Sequence, residues 1–439
     1  MSLEHLFDVL RPLIPLPLFR ALQSPYHFLL SYLGALRYHF PSRALTVIAV
    51  TGTKGKTSTT ELINAILEEA GEKTALANTI RFKVGSDSKR NLFKMTMPGR
   101  FFQQRFLAEA RGAGCRYAIM EMSSEGARQH RHRFIDLDAL VVTNLAHEHI
   151  ESHGSFEAYR SAKLSIAHQL SVSNKKRKLL LVNADDENLM PFRSIEDVET
   201  LLYTLQKVTP YRGDEAGSAF TYSSATIVSK LPGVFSIYNM LAAATLGSEL
   251  GISLGIVKRA LERTVLIPGR AERIEEGQRF PVIVDYAHTP ESLEALYKAF
   301  DDCRRICVLG NTGGGRDRSK RPKMGSIADQ YCDAIILTNE DPYDENPRAI
   351  LADMEGGIKK HKPEIILDRR EAIGRSLRLA NELTRGSHQN RVAVLVTGKG
   401  TDPYLMETGG KKTPWSDAAV TRHELRKLLH PAPSPNKAV

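Results

Sequence analysis

Residues Thr46 to Ser58 read TVIAVTGTKGKTS, a β-branched run that breaks into Thr51-Gly52-Thr53-Lys54-Gly55-Lys56-Thr57 and then into a helix-compatible stretch. That order of residue types builds a phosphate cradle. The glycines let backbone N–H groups close around an anion, and a helix opening near Lys56 presents its positive dipole end. Lys56 adds a point charge, and the Thr57 hydroxyl can reach Mg²⁺. Thr53, Lys54, Gly55, Lys56, Thr57 and Ser58 are the candidate nucleotide contacts, and the chemistry implied is use of a nucleoside triphosphate. A strict loop of this kind has glycine at position 50, where this chain has Val50, so the loop is a shortened variant.

Two further residues carry chemistry by position. Glu121 ends the apolar run Tyr117 to Glu121, where a doubly wound sheet exposes side chains to ligand. A carboxylate there suits Mg²⁺, which takes few protein oxygens beside phosphate and water; with Thr57 it would make a sensible ligand set. Lys163 falls on the face Phe156, Tyr159, Lys163, Ile166, Leu170, so a lysine interrupts an apolar helical stripe. Desolvation there would lower its pKa and leave a neutral amine able to react with CO₂. The competing reading is a lysine whose stem covers the stripe while its head reaches water. The stretch His147-Glu148-His149-Ile150-Glu151-Ser152-His153 could be a zinc site or a solvated polar loop.

The elements that must position these residues alternate. Strands are expected at Tyr117–Glu121, Ala139–Thr143 and Leu179–Val182, with helices at Thr57–Ala70, Phe101–Arg111 and Phe156–Leu170. That alternation predicts an α/β fold: a P-loop central domain on a mostly parallel sheet. Smaller strands and loops fill about 184–230, then helices at Phe235–Leu250 and Leu254–Arg263. Around Ile267-Pro268-Gly269-Arg270 the pattern restarts as a second, Rossmann-like α/β domain. Its strands are expected at Val282–Asp285, Ile306–Leu309, Ala334–Thr338 and Val392–Thr397, and its helices at Glu291–Phe300 and Glu371–Leu383. The expected division is an N-terminal hydrophobic arm over 1–45, a central domain over 46–268, a C-terminal domain over 269–430 and a disordered Pro-rich tail over 431–439.

Length, 439 residues, fits two or three domains, and 42% hydrophobic with 25% charged residues is ordinary for a soluble globular chain. The net charge of +10 suits polyanionic small molecules; no basic run interleaves with aromatics, so nucleotides are favoured over nucleic acid. Cys115, Cys303, Cys307 and Cys332 form no CxxC pair, so free thiols, no disulfide and a reducing, cytoplasmic setting are expected. The N-terminal stretch has no signal-peptide pattern, and prolines and arginines interrupt its apolar runs, so no membrane span is expected. Tyr26 to Phe40, YHFLLSYLGALRYHF, could pack on the next domain, which is favoured, or make peripheral contact with a bilayer.

Several clusters together resemble the Mur ligases, ATP-dependent amino-acid ligases of peptidoglycan precursor synthesis, and within them the tripeptide-forming branch. The resemblance runs from about Thr46 to Leu429. It is carried by the shortened loop, by Met120-Glu121-Met122-Ser123-Ser124, by Thr143-Asn144-Leu145 with Glu148-His149 and His153-Gly154, and by Tyr159 to Lys163. Downstream it rests on Asp285-Tyr286-Ala287-His288-Thr289-Pro290 and on Arg316-Asp317-Arg318-Ser319-Lys320-Arg321-Pro322. The resemblance implies ATP and two Mg²⁺ ions, with Thr57, Glu121, His149 and a carbamylated Lys163 on the metals. It implies Asn239 at adenine, Arg270 near the phosphates and Asp285 at ribose. Catalytic roles fall to Lys56, Lys163 and His288, and substrate contacts to Ser123, Ser124, Arg316, Lys320 and Arg321. The acyl substrate implied is a UDP-N-acetylmuramoyl peptide, the acceptor a free amino acid, and the enzyme a monomer.

The match also departs from the family pattern. Only 45 residues precede Thr46, where family members of this type carry a UDP-binding domain, so that domain is expected to be lacking. The acyl substrate would then depend on anion partners such as Arg81, Lys83, Arg100 and Arg128. Glu340-Asp341-Pro342-Tyr343 stands where the diaminopimelate-adding members have DNPR, and Gly398-Lys399-Gly400-Thr401-Asp402 where they have GKGHE. Asp341, Tyr343, Gly398 and Asp402 are therefore the candidate acceptor contacts. A folylpolyglutamate synthetase-like ligase and a non-catalytic nucleotide-binding regulator are the alternative readings. The first would want a DGAHNP-like turn where this chain has DYAHTP, and the second leaves Lys56, Thr57, Glu121, His149 and Lys163 together unexplained.

Overall fold

Val47 to Val50 have no polar face to offer solvent, so β1 (Thr46–Thr51) sits in the interior of a sheet buried on both sides. The structure is a computed structural model that describes residues 16–148, 150–385 and 391–430. By contacts the chain forms two units: residues up to Thr204 with Ala242–Ser253, and Leu205–Leu241 with the chain from Leu254 onward. The stretches 205–241 and 254–268, read from sequence with the central domain, group with the second unit.

In the first unit β1 pairs in parallel with β5 (Tyr117–Glu121) on one side and β6 (Ala139–Val142) on the other. β2 (Thr74–Ala77), β7 (Leu179–Asn183) and β8 (Glu199–Tyr203) extend the parallel sheet. β3 (Arg81–Val84) and β4 (Asp87–Arg90) continue it antiparallel, giving the order β4-β3-β2-β5-β1-β6-β7-β8. The helices Arg100–Gly112 and Phe156–Ser171 pack on the face bearing Val47 and Ala49. The helix Lys56–Glu69 buries Leu62, Ile63, Ile66 and Leu67 against the sheet. The antiparallel edge was not anticipated, because four-residue polar strands such as Asp87–Arg90 carry no apolar alternation.

The N-terminal segment forms a helix, Leu16–Arg37. Phe28 meets Phe134 at 5.1 Å between ring centroids, Tyr32 meets the same ring at 5.2 Å, and Ser31 Oγ donates to the His130 carbonyl at 2.9 Å. The helix therefore packs on the first unit, while Leu22, Leu29, Leu33 and Leu36 stay exposed on its outer side. No described helix is long and apolar enough to cross a membrane.

The second unit holds a six-stranded sheet. β13 (Val282–Asp285), β14 (Arg304–Leu309), β15 (Ala334–Leu337), β16 (Glu364–Ile365) and β17 (Val392–Thr397) run parallel, with β12 (Glu272–Arg273) antiparallel at one edge. Helices Pro290–Lys298, Lys320–Tyr331 and Pro347–Glu355 cover one face. Helices Arg369–Arg385 and Asp417–Leu429 cover the other. A small antiparallel sheet, β9 (Tyr211–Asp214), β10 (Gly217–Tyr222) and β11 (Ala225–Ser229), belongs to the same unit. Both units are thus the α/β sheets read from the sequence.

The expectation of no disulfide is corrected. Cys307 on β14 and Cys332 just after the helix Lys320–Tyr331 are bonded, their Cα atoms 6.1 Å apart, whereas Cys115 and Cys303 are free and buried. Their 25-residue separation gave no pairing signal; the crossover that follows β14 returns the chain beside it. Arg369 and Asp417, each 1% exposed or less, lock the two helices of one face through two bonds of 2.8 and 2.7 Å. Arg369 also donates to the Thr397 carbonyl at the end of β17. Asp417→Ala would strand that guanidinium without its counter-charge, and urea denaturation should show a loss of about 3–5 kcal/mol.

Candidate active site

The phosphate loop leaves β1 through Gly52, whose φ of 146° and close approach to the next strand exclude a side chain. A Cβ there would lie 1.9 Å from Thr143 Oγ1. The loop is fixed by the segment after β6: Thr53 N donates to the Asn144 carbonyl at 2.8 Å, and Lys54 N donates to Asn144 Oδ1 at 2.8 Å. Thr143 Oγ1 in turn donates to the Lys54 carbonyl at 2.6 Å. Gly55, at φ 79°, opens the helix Lys56–Glu69 with no capping side chain, which leaves the first-turn N–H groups for an anion. Lys56 folds back over the loop, its Nζ 2.9 Å from the Thr53 carbonyl, and Lys54 pairs with Glu148 at 2.9 Å. Ser58 follows in the first turn, half-buried.

Thr57 and Glu121 meet at the mouth of this loop. The Thr57 hydroxyl donates to Glu121 Oε2 at 2.9 Å, and Thr79 N donates to the same oxygen at 2.9 Å. Both side chains are buried, and together they supply hard oxygen ligands of the kind Mg²⁺ takes. His149 lies outside the described residues.

Lys163 is 1% exposed, so its head does not reach water as that of a stripe-covering lysine would. Nζ donates to the Gly52 carbonyl at 2.6 Å and stands 4.8 Å from the centroid of the Tyr159 ring, whose hydroxyl bonds Thr53 Oγ1 at 2.9 Å. Burial, and then the positive charge of Lys56, hold its pKa well below the usual lysine range. The amine thus lies under the phosphate loop where its charged form is disfavoured. Beside it, Ser123 caps the short helix Ser124–Arg128 by accepting from Gly126 N, and Ser124 Oγ bonds His153 Nε2 at 3.1 Å.

In the second unit, Asp285 at the end of β13 accepts from Ala271 N and Ala287 N, both at 2.6 Å. Arg270 lies over the Tyr286 ring at 4.5 Å, and His288 Nδ1 donates to the Tyr286 carbonyl at 2.7 Å. Lys320 Nζ reaches the His288 carbonyl at 3.3 Å. Asn239 lies on the helix Val234–Glu249, 8% exposed. Asp341 and Asp402 converge on the buried Lys399, at 2.8 and 3.0 Å. Gly398, at φ 108°, passes so close to Glu340 that a Cβ would lie 2.3 Å from Oε2. Tyr343 is half-buried with φ 51°, and Arg316 is exposed in the loop before the helix Lys320–Tyr331. Arg321, read from sequence as part of a basic substrate loop, is instead fully buried inside that helix and bonded to Glu345 and Asp353, all at 2.8–2.9 Å.

The pattern of the Mur ligase middle domain matches residues 50–247, and that of the Mur ligase glutamate ligase domain matches residues 269–400. A UDP-N-acetylmuramoyl-L-alanyl-D-glutamate–2,6-diaminopimelate ligase of Syntrophomonas wolfei is 38% identical over 392 residues, 86% of this chain and 78% of its own length. The chain belongs to the Mur ligase family. A UDP-N-acetylmuramyl-tripeptide synthetase of Roseiflexus sp. is 34% identical over 443 residues, covering 94% of this chain and 85% of its own. A solved diaminopimelate ligase of the same name as the first superposes with a TM-score of 0.60 at 28% identity, over 88% of this chain and 79% of that one. The Mycobacterium tuberculosis folylpolyglutamate synthase, complexed with ADP, gives 0.69 at 17% identity over 92% and 95%, a likeness of fold. ATP-dependent acid–amino-acid ligation, the class of the MurE-type relatives, is the class of this Mur ligase.

Within this Mur ligase two contacts escaped the sequence reading. Thr79 acts through its backbone N–H, which no residue type announces. Lys399 was hidden in the Gly398–Asp402 turn, where its flanking glycines were the visible signal and its two aspartates were not assigned to it. Two expected anion partners are also spent internally. Arg81 holds Glu61 through bonds of 2.9 and 2.6 Å, and Lys83, 7% exposed, holds Glu68 and the Thr74 hydroxyl. Gly52→Ala should push the loop off Thr143 and weaken ADP binding at least tenfold, read by calorimetry with circular dichroism as the check on folding.

Proposed function

We propose that this Mur ligase joins the carboxyl group of a UDP-N-acetylmuramoyl peptide to the amino group of a free amino acid, at the expense of ATP. The observation that carries the reading is the grouping of Lys56, Thr57, Glu121 and the buried amine of Lys163 around one phosphate loop. A carboxylate resists attack at neutral pH, so the γ-phosphoryl passes to it first, leaving ADP, and the amino group of the acceptor amino acid then attacks the acyl phosphate and expels inorganic phosphate. Lys56 and the first-turn N–H groups stabilise the charge that builds on the transferring phosphoryl. Thr57 and Glu121, with His149, would hold Mg²⁺, which when bound neutralises the β- and γ-phosphate oxygens. A neutral Lys163 amine can add CO₂ and release one proton to give a carbamate, which would set an anionic oxygen ligand beside the same loop.

Asn239, Arg270 and Asp285 would receive the adenosine part of the nucleotide. His288, Lys320 and Arg316 would meet the reacting groups, and Ser123 and Ser124 the peptide of the acyl substrate. Asp341, Tyr343, Gly398 and Asp402 would shape the acceptor pocket. Tyr343 in place of the DNPR arginine, together with the pairing of both aspartates to Lys399, favours an acceptor other than one read by an arginine at that position. One chain supplies every group named, which supports action as a monomer, and the substrates place the reaction in the cytoplasm. With Cys307 and Cys332 bonded, that placement rests on the substrates and not on the cysteines. The exposed leucines of the helix Leu16–Arg37 support peripheral contact with a bilayer.

Lys56→Ala should lower phosphate release at least a hundredfold, about 3 kcal/mol of transition-state stabilisation, with the fold intact by circular dichroism; near wild-type turnover would sink the ATP-dependent reading. Lys163→Ala should be nearly inactive and recover in part with added short carboxylic acids. Wild type stripped of CO₂ should regain activity with bicarbonate, and a bare amine by mass under CO₂, without rescue, would remove the carbamate.

A further inference from the structure

A cavity of about 350 Å³ opens in the first unit beside the proposed peptide site. It is lined by Ser24 of the helix Leu16–Arg37, bonded at 2.8 Å to His130 Nε2, and by the exposed Ser161 and the half-buried Ser165 of the helix Phe156–Ser171. Arg128, His132 and Arg133 line it too, as does His153, the partner of Ser124. The volume falls within the range of ligand sites.

Its polar groups are incompletely used. The Arg133 guanidinium bonds Gln169 Oε1 at 3.4 Å, and its Nε is buried without a partner. His132 is 1% exposed, and its Nδ1 has no partner either. Ser165 Oγ donates to the Ala162 carbonyl, so it accepts from His132 Nε2 and leaves Nδ1 as an acceptor. Burial keeps that ring neutral, its pKa pushed down to about 3. Buried polar groups without partners are uncommon in a folded protein and ask for a ligand or water. Two arginines, Arg128 and Arg133, line this space, and Arg128 pairs with Glu125 at 3.3 Å. A ligand here would need anionic oxygens for the arginines and a hydroxyl for His132.

The geometry assigns this cavity to a sugar diphosphate, with Arg128 and Arg133 on the phosphate oxygens and His132 accepting from a sugar hydroxyl. Arginine suits phosphate because its planar fork bonds two oxygens at once. Taken with the preceding reading, the cavity holds the diphosphate handle of the acyl substrate while Ser124, one hydrogen bond away through His153, meets its peptide. The handle assignment rests on that reading; the binding of a sugar diphosphate does not.

Calorimetric titration of the full chain, with its phosphate loop saturated by ADP and Mg²⁺, decides the matter, using UDP as probe and uridine as the control without phosphate. UDP should bind and uridine should bind at least tenfold more weakly. Arg133→Gln should weaken UDP at least tenfold, as expected for loss of a charged hydrogen bond, with ADP affinity unchanged. Ser161→Glu places a negative charge at an exposed helix position and should weaken UDP similarly; it decides the case if Arg133→Gln fails to fold. No UDP binding by wild type, or UDP affinity unchanged in a folded Ser161→Glu, overturns the site. A chain that binds UDP with this mutational pattern but releases no phosphate with any acyl substrate leaves the site standing and removes the ligase reading alone.

Discussion

The parallel register of β5, β1 and β6 is the constraint on which the first unit's site depends. Val50 stands opposite Glu121 and Thr51 opposite Val142, so three strands end at one edge of the sheet. The phosphate loop, the carboxylate and the Thr143-Asn144 brace therefore emerge within hydrogen-bonding distance of one another. Shifting one strand by a single residue would turn Glu121 to the other face and separate it from Thr57. The hydrogen bonds around Gly52 and Lys54 then set the loop in a fixed shape, so its N–H groups are oriented before any phosphate arrives.

Lys163 draws its properties from the same arrangement. A lysine at 1% exposure is costly to keep charged, and the neighbouring charge of Lys56 adds to that cost. The helix Phe156–Ser171 can place it there because Tyr159, one turn earlier, bonds to Thr53 and ties the helix to the loop. Packing and reactivity are thus set by one contact: the side chains that bury the amine also aim it at the Gly52 carbonyl.

The second unit solves a different problem, holding many charges in a small space. Lys399 gathers Asp341, Asp402 and the Tyr404 carbonyl, and Arg369 gathers Asp417 and the Thr397 carbonyl. These buried pairs fix the loops that follow β15 and β17. The same economy removes Arg321 from solvent, since Glu345 and Asp353 satisfy it within the helix layer.

The sequence alone determined the alternation of strands and helices, because apolar runs buried on both faces and amphipathic stripes obey local periodicities. It also determined the phosphate loop, whose glycines, lysine and threonine are contiguous, and marked Glu121 and Lys163 by their positions on a strand end and an apolar stripe. Tertiary structure decided what depends on partners distant in the chain. Cys307 and Cys332 are joined by a crossover, Arg81, Lys83 and Arg321 are neutralised by carboxylates 20, 15 and 24 or more residues away, and the antiparallel edge β3–β4 forms from strands without pattern. Charge in a sequence has no address until folding assigns its counter-charge, and that is why basic residues which looked alike in the chain divide into buried struts, such as Arg321, and cavity-lining cations, such as Arg133.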